Sequence, residues 1–109
     1  MQDIRAESIF VCPSYWLAEA FTNPGHASYK YQYSVIPAFH GADVTGYFGT
    51  RTPVQRADFE KAFMTIWGNF ITKNDPSIPA AIANGANSTA TESPASNWPA
   101  FSLAQPYIT

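Results

Sequence analysis

The sequence YKYQYSVIPAFHGAD, residues 29–43, decides the predicted fold. From Tyr29 to Ile36, strand-forming residues alternate with mostly polar ones, and this period of two predicts a β-strand. Pro37 ends the strand because a proline has no N–H group to donate into a sheet. His40 is therefore expected in a loop just beyond the carboxyl end of a strand.

Helical patterns flank this strand. Asp3–Phe21 is predicted to be helical, and Pro13 inside it indicates two short helices or one bent helix, since proline is accepted in a first turn or at a kink. Thr52, Pro53 and Gln55 supply an N-cap, a proline at the first helical position and a capping-box glutamine. These three residues predict the start of a second helix.

The second helix is predicted to carry one buried apolar stripe. Its apolar residues recur at intervals of three and four positions, at Phe59, Phe63, Ile66, Trp67, Phe70 and Ile71. The sequence NDPS at 74–77 stops the helix. Residues 78–97 are rich in Ala, Asn, Ser, Thr and Pro and are expected to form an irregular surface loop. Short terminal strands are expected at 101–103 and 106–108.

The composition suggests that this chain does not bury all of its apolar surface by itself. Aromatic residues make up 16% of the 109 residues, whereas charged residues make up only 13%, about half the share usual in soluble domains. A chain of this length has too little volume for its surface to hide so much aromatic area. Either the protein exposes unusual apolar patches, or another polypeptide segment covers them. The sparse charge favours the second interpretation.

The charge and cysteine content exclude several classes of protein. A net charge of −2 with six basic residues gives no electrostatic footprint for nucleic acid. No apolar run approaches the ~20 residues that cross a bilayer, and the first residues, MQDIR, lack the basic and apolar regions of a signal peptide. The single cysteine, Cys12, excludes an internal disulfide framework and a multi-thiolate metal site. Cys12 is expected to be a small buried hydrophobe, or to pair with a cysteine outside this segment.

Two histidines could carry chemistry. His26 follows a turn signal in a polar segment and is expected to be a solvated surface residue. His40 is the better candidate, because reactive groups of open α/β sheets gather beyond the carboxyl ends of strands. Gly41 lets the backbone turn sharply, and Asp43 could orient the loop or cap the turn. A single histidine in a loop is more often structural or merely exposed, so position alone leaves both interpretations open.

Short motifs occur in a fixed order along nearly the whole chain. They are FVCP at 10–13, YQY at 31–33, FHGAD at 39–43, YFG at 47–49, WGNF at 67–70, NDP at 74–76 and WP at 98–99. Together they resemble the closing portion of the type-B carboxylesterase/lipase family, which includes fungal lipases and esterases and the cholinesterases. The histidine-glycine-x-acid run followed by an aromatic-Phe-Gly is the most specific motif, and the residue choices look fungal. The resemblance is weakest at 78–97.

The resemblance implies an α/β fold in which residues 1–109 are the C-terminal portion of an α/β-hydrolase. That portion would contain a helix, a central strand, the histidine loop, a long helix and short terminal strands, and would be incomplete by itself. In the family the triad follows the order Ser, acid, His along the chain. His40 would be the triad histidine, which takes the serine proton and returns it to the departing alcohol. The substrate would be a small-molecule or lipid ester, and no cofactor or metal is implied.

Several catalytic motifs of the family are absent from this sequence. It has no G-x-S-x-G elbow and no glycine-rich oxyanion segment, and the family's triad acid lies well before its histidine. The nucleophile, the acid and the oxyanion hole are therefore expected in an upstream part of the hydrolase, and the isolated chain is predicted to be inactive. Asp43 follows His40 too closely to be the triad acid, so it is expected, with Gly41, to support the histidine loop.

A glycosylation sequon, Asn87-Ser88-Thr89, lies in the segment that is expected to be irregular. In a secreted protein Asn87 could accept a glycan. This sequon gives modest support to an extracellular setting for the parent hydrolase.

Three functions compete on the sequence alone. A hydrolase segment should be insoluble or molten by itself and should regain activity toward a short-chain ester when combined with the N-terminal portion. A non-catalytic interaction module that keeps the scaffold should show a cooperative thermal transition and bind a partner. A metal or sugar site built from His26, His40, Asp43 and surface tryptophans is weaker, because the spacing of the two histidines matches no common set of ligands. The motifs favour the hydrolase segment.

Overall fold

The computed structural model describes residues 2–22, 24–50 and 52–104, and within them the chain is mainly helical. In chain order the helical elements are α1 (Gln2–Ala6), a π-helical turn (Glu7–Val11), α2 (Cys12–Phe21), α3 (Val44–Tyr47), α4 (Ala57–Lys73), α5 (Ala80–Ala83) and a 3₁₀ turn (Pro94–Asn97). The chain forms two compact units. The N-terminal unit has its described residues within 2–31 and 99–104, and the central unit has them within 32–98.

The first helical run extends through α1, the π-helical turn and α2 without a break. Pro13 lies in the first turn of α2, a position that tolerates the missing N–H of proline. The turn before it is widened, since the Cys12 N–H donates to the carbonyl of Glu7, five residues back. The prediction of helical structure over Asp3–Phe21, with Pro13 in a first turn, is confirmed.

The N-terminal unit has a small core in which Ala18 and Phe101 are buried. The Phe101 ring meets the Tyr15 ring edge-on at a centroid distance of 5.9 Å, and the Phe101 N–H donates to the Ser28 carbonyl at 2.7 Å. The Ser28 hydroxyl donates to the Ala18 carbonyl at 2.6 Å. Lys30 places its ammonium 4.4 Å from the centre of the Tyr15 ring, a cation–π contact. A few ring and polar contacts therefore hold this unit together.

The strand predicted at 29–36 is not part of a sheet. The segment has no regular secondary structure and bends at residues 35–37, and within the described residues only Tyr31 and Ser102 are isolated β-bridge positions. A strand needs neighbouring backbones to satisfy its N–H and C=O groups, and no described segment pairs along this one. The expected α/β fold, with this chain as the C-terminal portion of an α/β-hydrolase around a central strand, is therefore wrong for the part of the chain that is described, which is helical and has no sheet.

From Tyr31 to Ile36, the alternation still matches which side chains are partly buried and which are exposed. Tyr33 and Val35 are partly buried, whereas Gln32, Ser34 and Ile36 are exposed. Side chains of an extended segment point alternately to opposite sides. The period of two thus predicted which side chains lie on the covered side and which on the exposed side. It gave no information on whether neighbouring strands exist.

Helix α4 begins later than the sequence predicted. Its N-cap is Arg56 rather than Thr52. Residues 52–55 instead form a turn in which the Gln55 N–H donates to the Thr52 carbonyl at 3.0 Å. The predicted end is confirmed, because Asn74 adopts the left-handed conformation, with φ of 54°, that closes many helices.

The apolar stripe of α4 forms the core of the central unit. Phe63 is only 5% exposed, and its ring centroid lies 5.4 Å from that of Phe59. The rings of Tyr33 and Tyr47 lie 6.2 and 6.0 Å from it. The stripe fades toward the end of the helix, where Ile71 is 75% exposed. The prediction of a buried stripe is thus right for the first half of the helix and wrong at its end.

Residues 78–97, expected to be irregular, contain α5 and the 3₁₀ turn. Ile78, the first residue of the segment, and Trp98, which directly follows it, are buried. The Ile78 N–H donates to the Ala95 carbonyl at 2.9 Å, and the Trp98 N–H donates to the Ser77 hydroxyl at 3.0 Å. These bonds bring the two ends of the segment together.

The expected terminal strands have different outcomes. Residues 101–103 do not form a strand, and only Ser102 is a bridge position. Residues 106–108 lie outside the described residues. Among the residues that the structure describes, none of the helices combines the length and the apolar character needed to cross a bilayer.

Candidate functional site

His40 lies in a tight turn of residues 39–43, the histidine turn, which leads into α3. The Ala42 N–H donates to the Phe39 carbonyl at 2.9 Å, and a second bond of 3.2 Å joins the N–H of the first α3 residue to the Gly41 carbonyl. Gly41 has a φ of 78°, which residues with a side chain adopt only at a cost in free energy. His40 is exposed and so can be reached from outside this chain.

Asp43 contributes to the turn through its backbone. Its carbonyl oxygen accepts the N–H of Gly46 at 2.9 Å, and its carboxylate makes no hydrogen bond that caps α3. The side chain is partly buried. Both roles expected for Asp43, orientation of the histidine turn and capping of that turn, stay predictions.

Gln55 is buried beside the histidine turn, with only 3% of its surface exposed. Its side-chain NH₂ group donates to the Tyr33 hydroxyl at 3.0 Å and to the Ala42 carbonyl at 3.5 Å. Its side-chain oxygen accepts the Thr45 hydroxyl at 3.2 Å and the Thr52 N–H at 3.4 Å. Both ends of the amide are used, so one buried glutamine joins the chain segments on either side of the histidine turn.

The sequence singled out Gln55 for a different reason. It predicted a capping-box contact to Thr52, and that contact exists although no helix starts there. The partners Tyr33 and Ala42 lie 22 and 13 positions away, so no local pattern connects them to the glutamine. The role of Gln55 as an anchor of the histidine turn was therefore missed.

The absence of a side chain at Gly46 lets α3 pack closely on α4. A Cβ atom at Gly46 would lie 2.8 Å from the Phe63 Cδ1 atom, closer than carbon atoms approach in packed interiors. The next residue, Tyr47, places its ring centroid 4.8 Å from that of Trp67. These contacts hold α3 on the aromatic side of α4 and fix the end of the histidine turn.

The surface around the histidine turn is apolar. Ile36, Phe39 and Phe48 are 83%, 73% and 75% exposed. Within residues 36–50 the one charged side chain is that of Asp43. The exposed His40 therefore belongs to a stretch of chain, residues 36–48, that also exposes large apolar side chains, a feature typical of surfaces that contact a ligand or another polypeptide.

The other candidate groups have different surroundings. His26 is exposed and belongs to the N-terminal unit, whereas His40 belongs to the central unit. The hydroxyls of Ser14 and Ser28 donate to backbone carbonyls of their own unit. Within the described ranges, no three side chains of His, Cys, Asp or Glu are grouped so that they could hold a metal ion.

Cys12 is exposed and its thiol is free. The expectation that it is a small buried hydrophobe is therefore wrong. Its helix, α2, buries only Ala18, so most side chains of that helix are left uncovered. Pairing of Cys12 with a cysteine outside this segment stays a prediction.

Asn87 is exposed and lies in the turn that follows α5. The sequon is thus on the surface of the central unit.

Comparison with known proteins gives no independent identification. No protein family, curated protein or solved structure matches this chain. The function of the chain is therefore inferred from its own residues.

Proposed function

We propose that this chain is the C-terminal segment of a serine carboxylic-ester hydrolase and that His40 is its proton-transferring histidine. The observation that carries the proposal is the way His40 is presented. His40 is exposed in the turn that contains Gly41, residues close to it in sequence expose large apolar side chains, and the buried Gln55 anchors that turn. A general base must be reachable by the group that it deprotonates, and His40 meets this condition.

In the proposed reaction, the His40 imidazole accepts the proton of a serine hydroxyl while the serine oxygen attacks the ester carbonyl. The imidazolium then returns the proton to the alcohol oxygen as the ester C–O bond breaks, which leaves an acyl-serine. The same imidazole then deprotonates a water molecule that attacks the acyl carbon. The bond between that carbon and the serine oxygen breaks, the imidazolium returns the proton to the serine, and the carboxylic acid leaves. The serine, the acid that orients the imidazole and the oxyanion donors belong to the upstream part of the hydrolase.

Gly41 and Asp43 have supporting roles in this proposal and do not touch the reacting atoms. The positive φ of Gly41 sets the direction in which the backbone leaves His40. The Asp43 carbonyl continues the turn into α3 through its bond to Gly46. A substitution at Gly41 should therefore disturb the placement of the imidazole more than its chemistry.

The helical run of α1 and α2 offers a surface that the upstream part would cover. Its exposed large apolar side chains are Ile4, Ile9, Phe10, Val11, Trp16, Leu17 and Phe21. Monomeric soluble proteins rarely leave so many apolar side chains together in contact with water. Burial of one such side chain contributes about 1.5–3 kcal/mol. This surface supports a segment that is completed by another polypeptide.

An extracellular setting of the parent hydrolase is part of the proposal. It is supported by the exposed sequon at Asn87.

Complementation tests the proposal. The genomic sequence immediately upstream is expected to encode G-x-S-x-G in frame, and the polypeptide that it encodes can be expressed and combined with this chain. Hydrolysis of a short-chain nitrophenyl ester should require both polypeptides. The proposal fails if the upstream sequence has no serine elbow, or if the mixture hydrolyses the ester no faster than either polypeptide alone.

One observation favours a second function, that of a non-catalytic interaction module. The central unit has its own core around Phe63, and the contacts of Ile78 and Trp98 close its last segment. A module of this kind should unfold in a cooperative thermal transition and bind a partner without ester turnover. An ester assay with the upstream polypeptide present separates the two functions, because only a hydrolase segment would turn over the ester.

A further inference from the structure

The segment between α5 and the 3₁₀ turn is an exposed, almost uncharged projection of the central unit. Every residue from 86 to 92 is exposed, and Glu92 is the one charged residue among them. Soluble proteins usually cover such a surface with charged side chains. Residues 86–91 are instead Ala, Asn, Ser and Thr. Their uncharged amide and hydroxyl groups, with the backbone, are what water can contact here.

The base of this projection is held in place. The Asn84 side-chain NH₂ group donates to the carbonyls of Ala90 and Glu92, each at 3.0 Å. Gly85 has a φ of 79°, and a Cβ atom there would collide with the Asp58 carboxylate of α4. The close approach of Gly85 to α4 and the two bonds of Asn84 fix where the projection starts and ends.

Asn87 lies at the exposed end of the projection. The Ser88 N–H donates to the Gly85 carbonyl at 3.2 Å, and the Ser88 hydroxyl accepts the Ala90 N–H at 3.2 Å. In the described part of the chain, the side chains of Asn87 and Thr89 make no hydrogen bond. In the sequon, Ser88 is therefore held by hydrogen bonds to the backbone. The Asn87 amide and the Thr89 hydroxyl make no hydrogen bond within the described residues.

Two other asparagines of the central unit have their amides in use. Asn69 donates to the Ser77 carbonyl at 2.7 Å, and Asn84 has the two bonds described above. A glycan on either amide would remove a structural hydrogen bond. Asn87 differs because a large substituent on its amide would displace no contact within the described residues.

We infer that Asn87 is the attachment site of an N-linked glycan, which hydrates this charge-poor projection. In the transfer, the Asn87 Nδ2 atom forms a bond to the anomeric carbon of an oligosaccharide carried on a polyprenyl diphosphate. The bond between that carbon and the diphosphate oxygen breaks, the polyprenyl diphosphate leaves with the electron pair, and the amide loses one proton. The inference rests on the extracellular setting proposed above and does not depend on ester hydrolysis.

Translocation into endoplasmic-reticulum microsomes tests this inference. The full 109-residue chain is translated behind a cleavable secretion signal, and chains with the signal removed are analysed by gel mobility and peptide mass spectrometry. A single endoglycosidase-sensitive glycan is expected on the Asn87 peptide. Asn87→Gln and Thr89→Ala should both abolish it, whereas the matched substitution Thr89→Ser should keep it because the hydroxyl remains. An unmodified Asn87 in signal-cleaved chains would overturn the inference.

Limited proteolysis tests whether the folded chain accepts the glycan. Glycosylated chains and chains treated with endoglycosidase should give the same cleavage pattern and rate outside residues 84–93. Faster cleavage of the glycosylated chain at α4 or α5 would contradict the outward placement of Asn87. Since neither readout measures ester turnover, the glycan inference and the hydrolase proposal can fail separately.

Discussion

The two units of this chain are built from similar residues and reach different degrees of burial. In the central unit, aromatic rings pack on Phe63, which is 5% exposed, and a glutamine that is 3% exposed joins three segments. In the N-terminal unit, α2 leaves Trp16 70% exposed and buries only Ala18. The comparison shows that neighbouring residues can be enough to form a helix, while the apolar face of that helix stays uncovered by the rest of the chain.

The largest effect expected is on catalysis. Each unit contains one histidine, and His40→Ala in the reassembled hydrolase should lower kcat for a short-chain ester by at least about three orders of magnitude, since members of a triad act as a unit. His26→Ala, in the N-terminal unit, is the matched control and should leave kcat unchanged. Steady-state kinetics of the two variants decides the assignment, and near-normal turnover by the His40 variant with its fold intact would refute it.

The next effect concerns the core of the central unit. Phe63→Ala should reduce the free energy of unfolding by about 3–5 kcal/mol, because it leaves a cavity among the packed rings. Ile71→Ala on the exposed end of the same helix should change it by less than about 0.5 kcal/mol. Hydrogen exchange of the α4 amides measures both. Equal losses for the two variants would mean that the ring cluster is not a core.

The exposed face of α2 should matter for association and not for the stability of the chain. Trp16→Ala should weaken binding to the upstream polypeptide by about 1.5–3 kcal/mol, or roughly 10- to 150-fold in Kd. Ser8→Ala is the control on the same helical run, where the hydroxyl bonds to the Ile4 carbonyl. Isothermal titration calorimetry measures both affinities. Unchanged affinity of the tryptophan variant would show that this face is not the contact surface.

A smaller effect is expected where Gln55 anchors the histidine turn. Gln55→Leu keeps the volume and removes both halves of the amide, which leaves the Ala42 carbonyl and the Thr45 hydroxyl without this partner. The free energy of unfolding should fall by about 1–3 kcal/mol. Gln32→Leu, at an exposed position of the same unit, should change it by less than about 0.5 kcal/mol. Denaturant titrations measure both variants. An unchanged free energy of unfolding for Gln55→Leu would show that Gln55 does not anchor the histidine turn.

Local signals in the sequence predicted the first helical run and the end of α4, missed α3 and α5, and predicted the sheet wrongly. The end of α4 at Asn74 and the place of Pro13 in the first turn of α2 follow from residues adjacent in sequence. The strand expected over 29–36 needed neighbouring strands that the described chain does not provide. Its alternating pattern therefore predicted which side chains are covered, but it could not predict whether another strand pairs with this segment.

The candidate site was predicted in part. The position of His40 in a turn with Gly41 could be read from the sequence, because glycine after a strand-like segment signals a change of direction. The anchor Gln55 could not, since its partners Tyr33 and Ala42 are distant in sequence. Exposure of Cys12 was also missed, because burial depends on which surfaces the rest of the structure covers.

Hydrogen exchange followed by mass spectrometry tests most directly whether one unit is self-supporting and the other is completed by an upstream polypeptide. In the chain alone, amides of α4 should exchange more slowly than amides of α2. Addition of the upstream polypeptide should protect α2 and the histidine turn strongly and α4 little. Equal protection of α2 and α4 in the chain alone, with no change on addition, would contradict the account.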